Sequence, residues 1–214
     1  MQLERERQQV VEYGKKLVTS GLTAGTGGNL SVLNRDAQLV AISPSGFDYF
    51  KTTAEDVPLV DRTGNVVEGS RKPSVELHLH LALYGHRPDV GAVVHTHSTY
   101  ATAVGCLHRE LPPFHYLIGF SGKKVPLAPY ATFGSRELAQ KVSETIGDYN
   151  AVLMANHGLI CVGPTIAAAF NTAEIIEFMA RVYCQARTLG EPVLLSDQEM
   201  DKVLEEFKSY GQKE

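Results

Sequence analysis

The sequence predicts a single α/β domain, residues 1–214, in which helices lie on both sides of one sheet. Short apolar runs bounded by turn residues, which are typical of strands, are mixed along the chain with helical patterns of unequal length. The chain has 214 residues, 43% of them hydrophobic, so it can bury the core that a three-layer domain requires. The sequence shows neither an internal repeat nor a low-complexity linker, which favours one domain over two.

The first third of the chain is predicted to contain one helix followed by short strands. An apolar stripe over 3–19 indicates a helix, and Gly21 lies just past its end. The runs 30–33 and 38–42 are typical of strands. The segment 59–67 predicts two more short strands joined across a Gly-Asn turn.

The rest of the chain is predicted to contain further helices and strands. Helical patterns occur at 73–84, from about 135, at 166–189, and from 196 to about 208. Extended patterns occur at 91–94, 111–118, 151–155 and 158–163. Ser74 can cap the first of these helices, which places Glu76 in its first turn.

Composition argues against several classes of partner. The formal net charge is −4 and no run of Lys and Arg is accompanied by aromatic residues, so no nucleic-acid partner is expected. No apolar stretch approaches the length of a membrane span, and the first residues do not resemble a signal peptide, so the expected location is the cytoplasm. Cys106, Cys161 and Cys184 are widely spaced and are predicted to be reduced thiols packed in the core.

The residues that point most directly to chemistry are His95 and His97. They follow the strand-like run Gly91-Ala-Val-Val94, and alternate residues of a strand point to the same face, so the two imidazoles can clamp a transition metal. His157, before the flexible Gly158, is the best third candidate. Three imidazoles with one open position are typical of a catalytic zinc site. A Glu76–His80 pair at i and i+4 is an alternative ligand pair.

Other polar residues indicate where a substrate could bind. Glu76 is either a metal ligand, a proton carrier, or simply a partner of the helix dipole. Hydroxyls and accessible backbone amides occur in 26–29, in Ser45-Gly46 and at Ser74, a combination suited to an oxyanion. With a metal nearby, these segments indicate a small phosphorylated substrate. No GxSxG segment supports a nucleophilic hydrolase.

Seven segments form an ordered pattern over almost the whole chain. They are 21–31 (GLTAGTGGNLS), 44–46 (PSG), 72–76 (KPSVE), 94–97 (VHTH), 129–134 (PYATFG), 156–159 (NHGL) and 207–211 (FKSYG). On this pattern the chain resembles the class II sugar-phosphate aldolase/epimerase family. The resemblance implies a central, mostly antiparallel sheet flanked by helices, the class II aldolase/adducin-like fold. It also implies a homotetramer with active sites at the subunit interfaces.

The resemblance assigns roles to particular residues. It implies one zinc ion per subunit, with Co²⁺ or Mn²⁺ as substitutes, and it makes His80 structural. The implied zinc ligands are Glu76, His95, His97 and His157. The implied catalytic residues are Glu76 as proton carrier, Tyr116 from a neighbouring subunit, and Tyr210 in the C-terminal tail. The implied substrate contacts are Thr26, Asn29, Ser45, Gly46 and Ser74 at the phosphate, and Phe133 at the aldehyde end.

The implied reaction is the cleavage of a ketose 1-phosphate to dihydroxyacetone phosphate and a small aldehyde. L-Fuculose 1-phosphate, which gives lactaldehyde, and 5-deoxyribulose 1-phosphate, which gives acetaldehyde, are both expected substrates. The alternatives are a pentulose-5-phosphate 4-epimerase, a methylthioribulose-1-phosphate dehydratase, and a non-catalytic zinc-binding adaptor domain. The stretch 98–141 lacks the aspartate that family epimerases carry there, which favours the aldolase. Val75 stands where the family often has a second serine, so the phosphate site is expected to lack one hydroxyl.

Overall fold

Residues 1–209 are described by the computed structural model, and they contain one eight-stranded sheet with six α-helices. Two short 3₁₀ helices occur at Ala54–Asp56 and Tyr116–Phe120. The α-helices are α1 (Glu4–Thr19), α2 (Leu77–His86), α3 (Thr99–Cys106), α4 (Arg136–Ile146), α5 (Ile166–Leu189) and α6 (Asp197–Phe207). The strands are β1 (Asn29–Asn34), β2 (Leu39–Ile42), β3 (Leu59–Asp61), β4 (Val66–Glu68), β5 (Ala92–Thr96), β6 (Leu127–Ala128), β7 (Ala151–Met154) and β8 (Gly158–Gly163).

The sheet has the strand order β4-β3-β2-β1-β5-β8-β7-β6. Every neighbouring pair is antiparallel except β6 and β7, which are parallel. The strand β5 lies between β1 and β8, with Asn29 opposite His95 and Leu159 opposite Thr96. The mostly antiparallel, three-layer α/β fold expected from the sequence is therefore confirmed.

The two faces of the sheet carry separate apolar clusters, which explains why the strands have almost no exposed side. The face covered by α1, α3 and α5 carries Leu30 and Val94, whereas the face covered by α2 and α4 carries Val93 and Ile160. Side chains of a strand alternate between faces, so His95 shares the α2 face with Val93. The strand register thus directs His95 toward the start of α2.

Several predicted elements agree with the structure and others differ. The first helix, the 59–67 hairpin, the strands β7 and β8, and the helices α5 and α6 are confirmed. The helix predicted at 73–84 starts only at Leu77, because Ser74 N donates to Ser43 O and the preceding residues pair with the chain near Pro44. The short elements α3 and β6 were not predicted, since eight and two residues give little periodic signal.

The extended segment predicted at 111–118 is wrong for most of its length. Leu111 forms a single bridge with Val125, and a 3₁₀ helix begins at Tyr116. The His115 ring accepts a hydrogen bond from Leu117 N, which closes this turn locally, and two prolines follow Leu111 and cannot donate to a sheet. A local side-chain bond therefore replaces strand pairing here.

The cysteine prediction is only partly confirmed. All three thiols are free, and Cys161 is buried on β8, but Cys106 is exposed at the end of α3 and Cys184 is half-buried. The prediction of core packing is thus wrong for Cys106, because the short helix α3 ends at the surface there. Within residues 1–209, none of the helices has the length and hydropathy needed to cross a membrane.

Candidate active site

Three histidines meet at one edge of the sheet. His95 and His97 lie at the end of β5. His157 lies in the tight connection between β7 and β8, and because β8 pairs with β5, this connection lies beside the end of β5. Each ring offers one nitrogen, and these three nitrogens lie within 4.8 Å of one another. The Nε2 atoms of His95 and His97 are 2.9 Å apart. The structure therefore brings together the three histidines that the sequence singled out.

Glu76 reaches the same point from the N-terminus of α2. Its Oε2 lies 3.2 Å from His95 Nε2, and its Oε1 lies 3.4 Å from His157 Nε2. Burial acts to raise the pKa of Glu76, but the charge and hydrogen bond of His95, together with His157 and Asn29, outweigh burial and hold this pKa well below its usual range. The carboxylate is therefore ionised at neutral pH.

Two of the three histidine rings are neutral, and the third is oriented toward the cluster by a bond to the backbone. Partial burial, and then the neighbouring His95, lower the pKa of both His97 and His157 to about 4, so these two rings are neutral at pH 7. Burial acts to lower the pKa of His95, but attraction to Glu76 outweighs it and raises this pKa. The Nδ1–H of His95 donates to Leu159 O at 3.0 Å, which leaves Nε2 directed at the cluster.

This donor set fits a divalent transition metal. Glu76 Oε1 is buried and has no hydrogen-bond partner among the described residues, although a buried carboxylate oxygen normally has one. Imidazole nitrogens and a carboxylate oxygen are ligands that zinc and similar ions take in proteins. A cation bound by His95, His97 and His157 would satisfy the orphaned carboxylate oxygen.

Glycines allow the backbone to approach these histidines closely. A Cβ built on Gly28, whose φ is +67°, would lie 2.7 Å from His95 O. A Cβ on Gly27 would lie 3.0 Å from His97 Nδ1, and one on Gly158 would overlap Thr96 O. The glycine-dense segment before β1 is thus required by the close packing of backbone against the histidine cluster.

A cavity of about 310 Å³ opens beside the cluster. The predicted site residues that line it are Thr26, Asn29, Ser45, Gly46, Ser74, Glu76, Phe133, His97 and His157. His95 lies behind them and is fully buried. Among residues 1–209, those that line this cavity include no Lys or Arg, so an anion there would be held by hydroxyls, backbone amides and the N-terminus of α2.

The polar residues of the cavity are brought together by backbone pairing. Ser45 N donates to Lys72 O at 2.9 Å, and Ser74 N donates to Ser43 O at 3.1 Å, so Ser45 and Ser74 lie side by side. The Ser74 hydroxyl accepts a hydrogen bond from Glu76 N. The N-cap residue of α2 is Glu76 and not Ser74. This arrangement corrects the prediction that Glu76 lies within the first turn.

Apolar residues form the rest of the cavity lining. Val75, Tyr130, Ala131 and Phe133 contribute to it, and the backbone near Gly134 lies against Val75. Tyr130 and Asn156, which were not predicted as site residues, are thus part of the cavity lining. Tyr130 could have been found from its place in the 129–134 segment, and Asn156 from its position beside His157.

Of the predicted catalytic tyrosines, Tyr116 does not line this cavity. Tyr116 is 51% exposed on its 3₁₀ helix, where its ring stacks on His115 and lies near Phe207 of α6. The role of Tyr116 at the site of a neighbouring subunit stays a prediction. Tyr210 lies outside the described residues.

The alternative Glu76–His80 ligand pair is not supported. His80 is fully buried, and both of its ring nitrogens contact protein atoms, Ser31 Oγ at 2.7 Å and Asn29 Oδ1 at 2.5 Å. A ring with both nitrogens engaged in this way has no lone pair to give to a metal.

Comparisons with known proteins identify the family of this chain. The family described as Class II Aldolase and Adducin N-terminal domain matches residues 8–184. A 5-deoxy-D-ribulose 1-phosphate aldolase from Bacillus thuringiensis serovar kurstaki is 51% identical over 212 residues, covering 99% of this chain and 100% of that protein. The L-fuculose phosphate aldolase of Escherichia coli K12 is 38% identical, covering 99% of this chain and 98% of that protein. A solved structure of an L-fuculose 1-phosphate aldolase superposes with a TM-score of 0.94 at 47% identity, over 95% of this chain and 96% of that chain. The chain therefore belongs to the class II aldolase and adducin N-terminal domain family.

Proposed function

We propose that this protein is a zinc-dependent aldolase that cleaves 5-deoxyribulose 1-phosphate or L-fuculose 1-phosphate to dihydroxyacetone phosphate and a small aldehyde. Lyase activity as such follows from the family and from the aldolases that resemble the chain over its whole length. The observation that carries the finer proposal is the convergence of three imidazoles and Glu76 at a cavity with hydroxyls and apolar side chains in its lining. Of the two substrates we favour 5-deoxyribulose 1-phosphate, on the relative with 51% identity.

The metal would be held by His95, His97 and His157, with Glu76 as a further ligand in the free protein. It supplies a Lewis acid that stabilises the negative charge developing on the substrate when the carbon–carbon bond breaks. Co²⁺ and Mn²⁺ accept the same ligand types and are proposed substitutes.

Side chains near the metal are proposed to carry out the proton transfers of the reaction. Glu76 delivers a proton to the substrate carbon that loses its aldehyde partner, and Tyr116 of a neighbouring subunit takes the proton from the hydroxyl that becomes the aldehyde oxygen. Glu76 is ionised in the free protein, so it takes up one proton as the substrate binds, and Tyr116 releases one proton to solvent for the one that it takes. Each turnover thus takes up one proton and releases one, and the cleavage has no net change in protons. Tyr210, in the C-terminal tail, is proposed to assist at the same end of the substrate.

Binding of the substrate uses both kinds of cavity lining. Thr26, Ser45, Gly46 and Ser74 are proposed to hold the phosphate by hydroxyls and backbone amides at the start of α2. Asn29 retains one amide hydrogen for the same purpose, since its oxygen and its other hydrogen are engaged with His80 and Glu76.

The apolar lining is proposed to take the other end of the substrate. Phe133 can cover the terminal methyl group that both proposed substrates carry, and it excludes water from it. We place the enzyme in the cytoplasm, where three unpaired thiols are stable and sugar phosphates are formed.

Release of dihydroxyacetone phosphate by the purified protein tests the reaction. We expect a coupled dehydrogenase to detect it from both sugar phosphates, with removal of the metal by a chelator lowering the rate at least 100-fold and added zinc restoring it. Protein with its zinc confirmed that released no dihydroxyacetone phosphate from either sugar would contradict the proposal. Undiminished turnover after verified metal removal would also contradict it.

Complementation between two inactive variants tests whether the site is shared between subunits. Tyr116→Phe and His95→Ala chains are each expected to be nearly inactive, but mixed tetramers regain activity because random assembly leaves about one site in four intact. A mixture of His95→Ala with His97→Ala is the control, since both ligands come from one chain and no intact site can form. Mixed tetramers of the first pair that stayed inactive, with their composition verified by mass spectrometry, would refute the shared site.

A further inference from the structure

A buried line of polar side chains runs beneath Glu76. Tyr84 Oη contacts Ser31 Oγ at 2.7 Å, and Ser31 Oγ contacts His80 Nδ1 at 2.7 Å. His80 Nε2 contacts Asn29 Oδ1 at 2.5 Å, and Asn29 Nδ2 donates to Glu76 Oε2 at 2.8 Å. The members of this line are all buried. Polar groups without access to water must satisfy one another, so each contact constrains the next.

The line exists because one helix face lies along one strand face. Glu76, His80 and Tyr84 are four residues apart, so they share a side of the chain entering and forming α2. Asn29 and Ser31 are two residues apart on β1 and share the face that α2 covers. These two spacings place the five side chains in one row between α2 and β1. Along the row, side chains from 76–84 alternate with side chains from β1.

The direction of every hydrogen bond in the line can be deduced from the Asn29 amide. Its Nδ2 donates to Glu76 Oε2, so its oxygen faces His80 Nε2. An amide oxygen only accepts, so His80 must carry its proton on Nε2. Burial lowers the pKa of His80 to about 3, so the ring is neutral and Nδ1 accepts from the Ser31 hydroxyl. Ser31 then accepts from the hydroxyl of Tyr84.

We propose that His80 is a positioning residue, which donates through Nε2–H to Asn29 and thereby fixes the amide that holds the Glu76 carboxylate. The proposal rests on the proposed role of Glu76 as metal ligand and proton carrier. Asn29 alone could turn its amide over, which would set its oxygen against Glu76 Oε2. The bond from His80 prevents this, because the turned amide would set an NH₂ group against Nε2–H.

The consequence for Glu76 is that its two oxygens differ. Oε2 is fixed by Asn29 and lies against His95, whereas Oε1 carries no hydrogen bond from the described residues and lies toward His157. Holding one oxygen keeps the other directed at the histidine cluster. His80 therefore acts on the metal and on the proton transfer through two intermediate side chains, without touching either.

The tautomer of His80 provides a test that does not depend on activity. We expect ¹⁵N-labelled, zinc-loaded protein to show a His80 ring that is neutral and protonated on Nε2, with Nδ1 as the acceptor. The same tautomer is expected after the metal is removed, since the line ends on the Glu76 carboxylate rather than on the ion. A ring protonated on Nδ1, or on both nitrogens at neutral pH, would overturn the proposal.

Substitution of His80 tests the effect on the metal. His80→Phe keeps a buried ring without a donor, and we expect zinc affinity to fall about 10–100-fold, as for other residues that orient metal ligands. His80→Gln can still donate to Asn29 and is expected to recover most of that loss. His78→Phe and His78→Gln, on the same helix, are matched controls that should leave zinc affinity unchanged. A folded His80→Phe protein with wild-type zinc affinity would refute the positioning role.

Kinetics separate positioning from substrate binding. With saturating zinc, we expect His80→Phe to lower kcat at least 10-fold and to leave KM within about twofold, since Glu76 is displaced while the Ser45 and Ser74 contacts remain. An unchanged kcat with a raised KM would contradict the proposal. If His80→Phe does not fold, the tautomer and the zinc affinity of His80→Gln still decide the outcome. Both readouts hold even if the proposed sugar substrates fail.

Discussion

Replacing Glu76 by Gln is expected to lower kcat about 10²–10⁴-fold, the range found when a general acid or base is removed. The amide has nearly the same shape as the carboxylate, and its oxygen can still accept from Asn29 Nδ2. It cannot carry the proton that Glu76 is proposed to deliver. Substrate binding should change little, because the hydroxyls of Ser45 and Ser74 are untouched. Steady-state kinetics with zinc saturating and its content measured give the result.

Hydrogen exchange isolates the proton step from the rest of the reaction. The wild-type protein, incubated with dihydroxyacetone phosphate alone in deuterated water, is expected to replace one carbon-bound hydrogen by deuterium. Glu76→Gln should lose this exchange to the same extent as its kcat, whereas Glu137→Gln, on an exposed part of α4, should retain it in full. Exchange at the wild-type rate in Glu76→Gln protein that holds zinc would remove Glu76 from the proton step.

The histidine site could be predicted because its geometry is local to two strands. His95 and His97 are two residues apart, so on a strand their side chains must point to the same face of the sheet. Gly158 predicts a sharp backbone turn directly after His157. The position of Glu76 was harder to predict. Its place as N-cap, rather than in the first turn, depends on pairing of the chain near Ser74 with Ser43, thirty-one residues earlier.

The line from Tyr84 to Glu76 could not be predicted from spacing alone. His80 and Tyr84 show helical spacing, and Asn29 and Ser31 show strand spacing, but only the packing of α2 on β1 brings the two pairs together. The sequence also offered His80 as a metal ligand, because its spacing from Glu76 suits that role equally well. Burial with both nitrogens engaged decides between the two interpretations.

Replacing Gly158 by Ala is expected to disturb the histidine cluster, because the added methyl group clashes with the neighbouring backbone. The added methyl would overlap Thr96 O and would lie 3.2 Å from His97 Cδ2 and 3.3 Å from His95 Cε1. The backbone oxygen cannot move without shifting the pairing of β5 with β8, so the strand ends must separate. We expect zinc affinity to fall at least 10-fold and stability to fall by about 1–3 kcal/mol, the usual cost of forcing a methyl into a packed site.

Two further glycine variants test whether the loss of zinc affinity comes from the close contact of the backbone with the histidines. Gly85→Ala, next to the last residue of α2 and with open space around it, should leave zinc binding intact and raise stability by no more than about 0.5–1 kcal/mol, as Ala favours helices. Gly27→Ala would meet the side chains of Thr23 and His97, which can shift, so its effect on zinc affinity should lie between the other two. Titration with zinc and thermal unfolding of the metal-free proteins measure both effects. Wild-type zinc affinity in Gly158→Ala would mean that the strand ends tolerate separation, and that the histidine cluster does not depend on the backbone contact at this glycine.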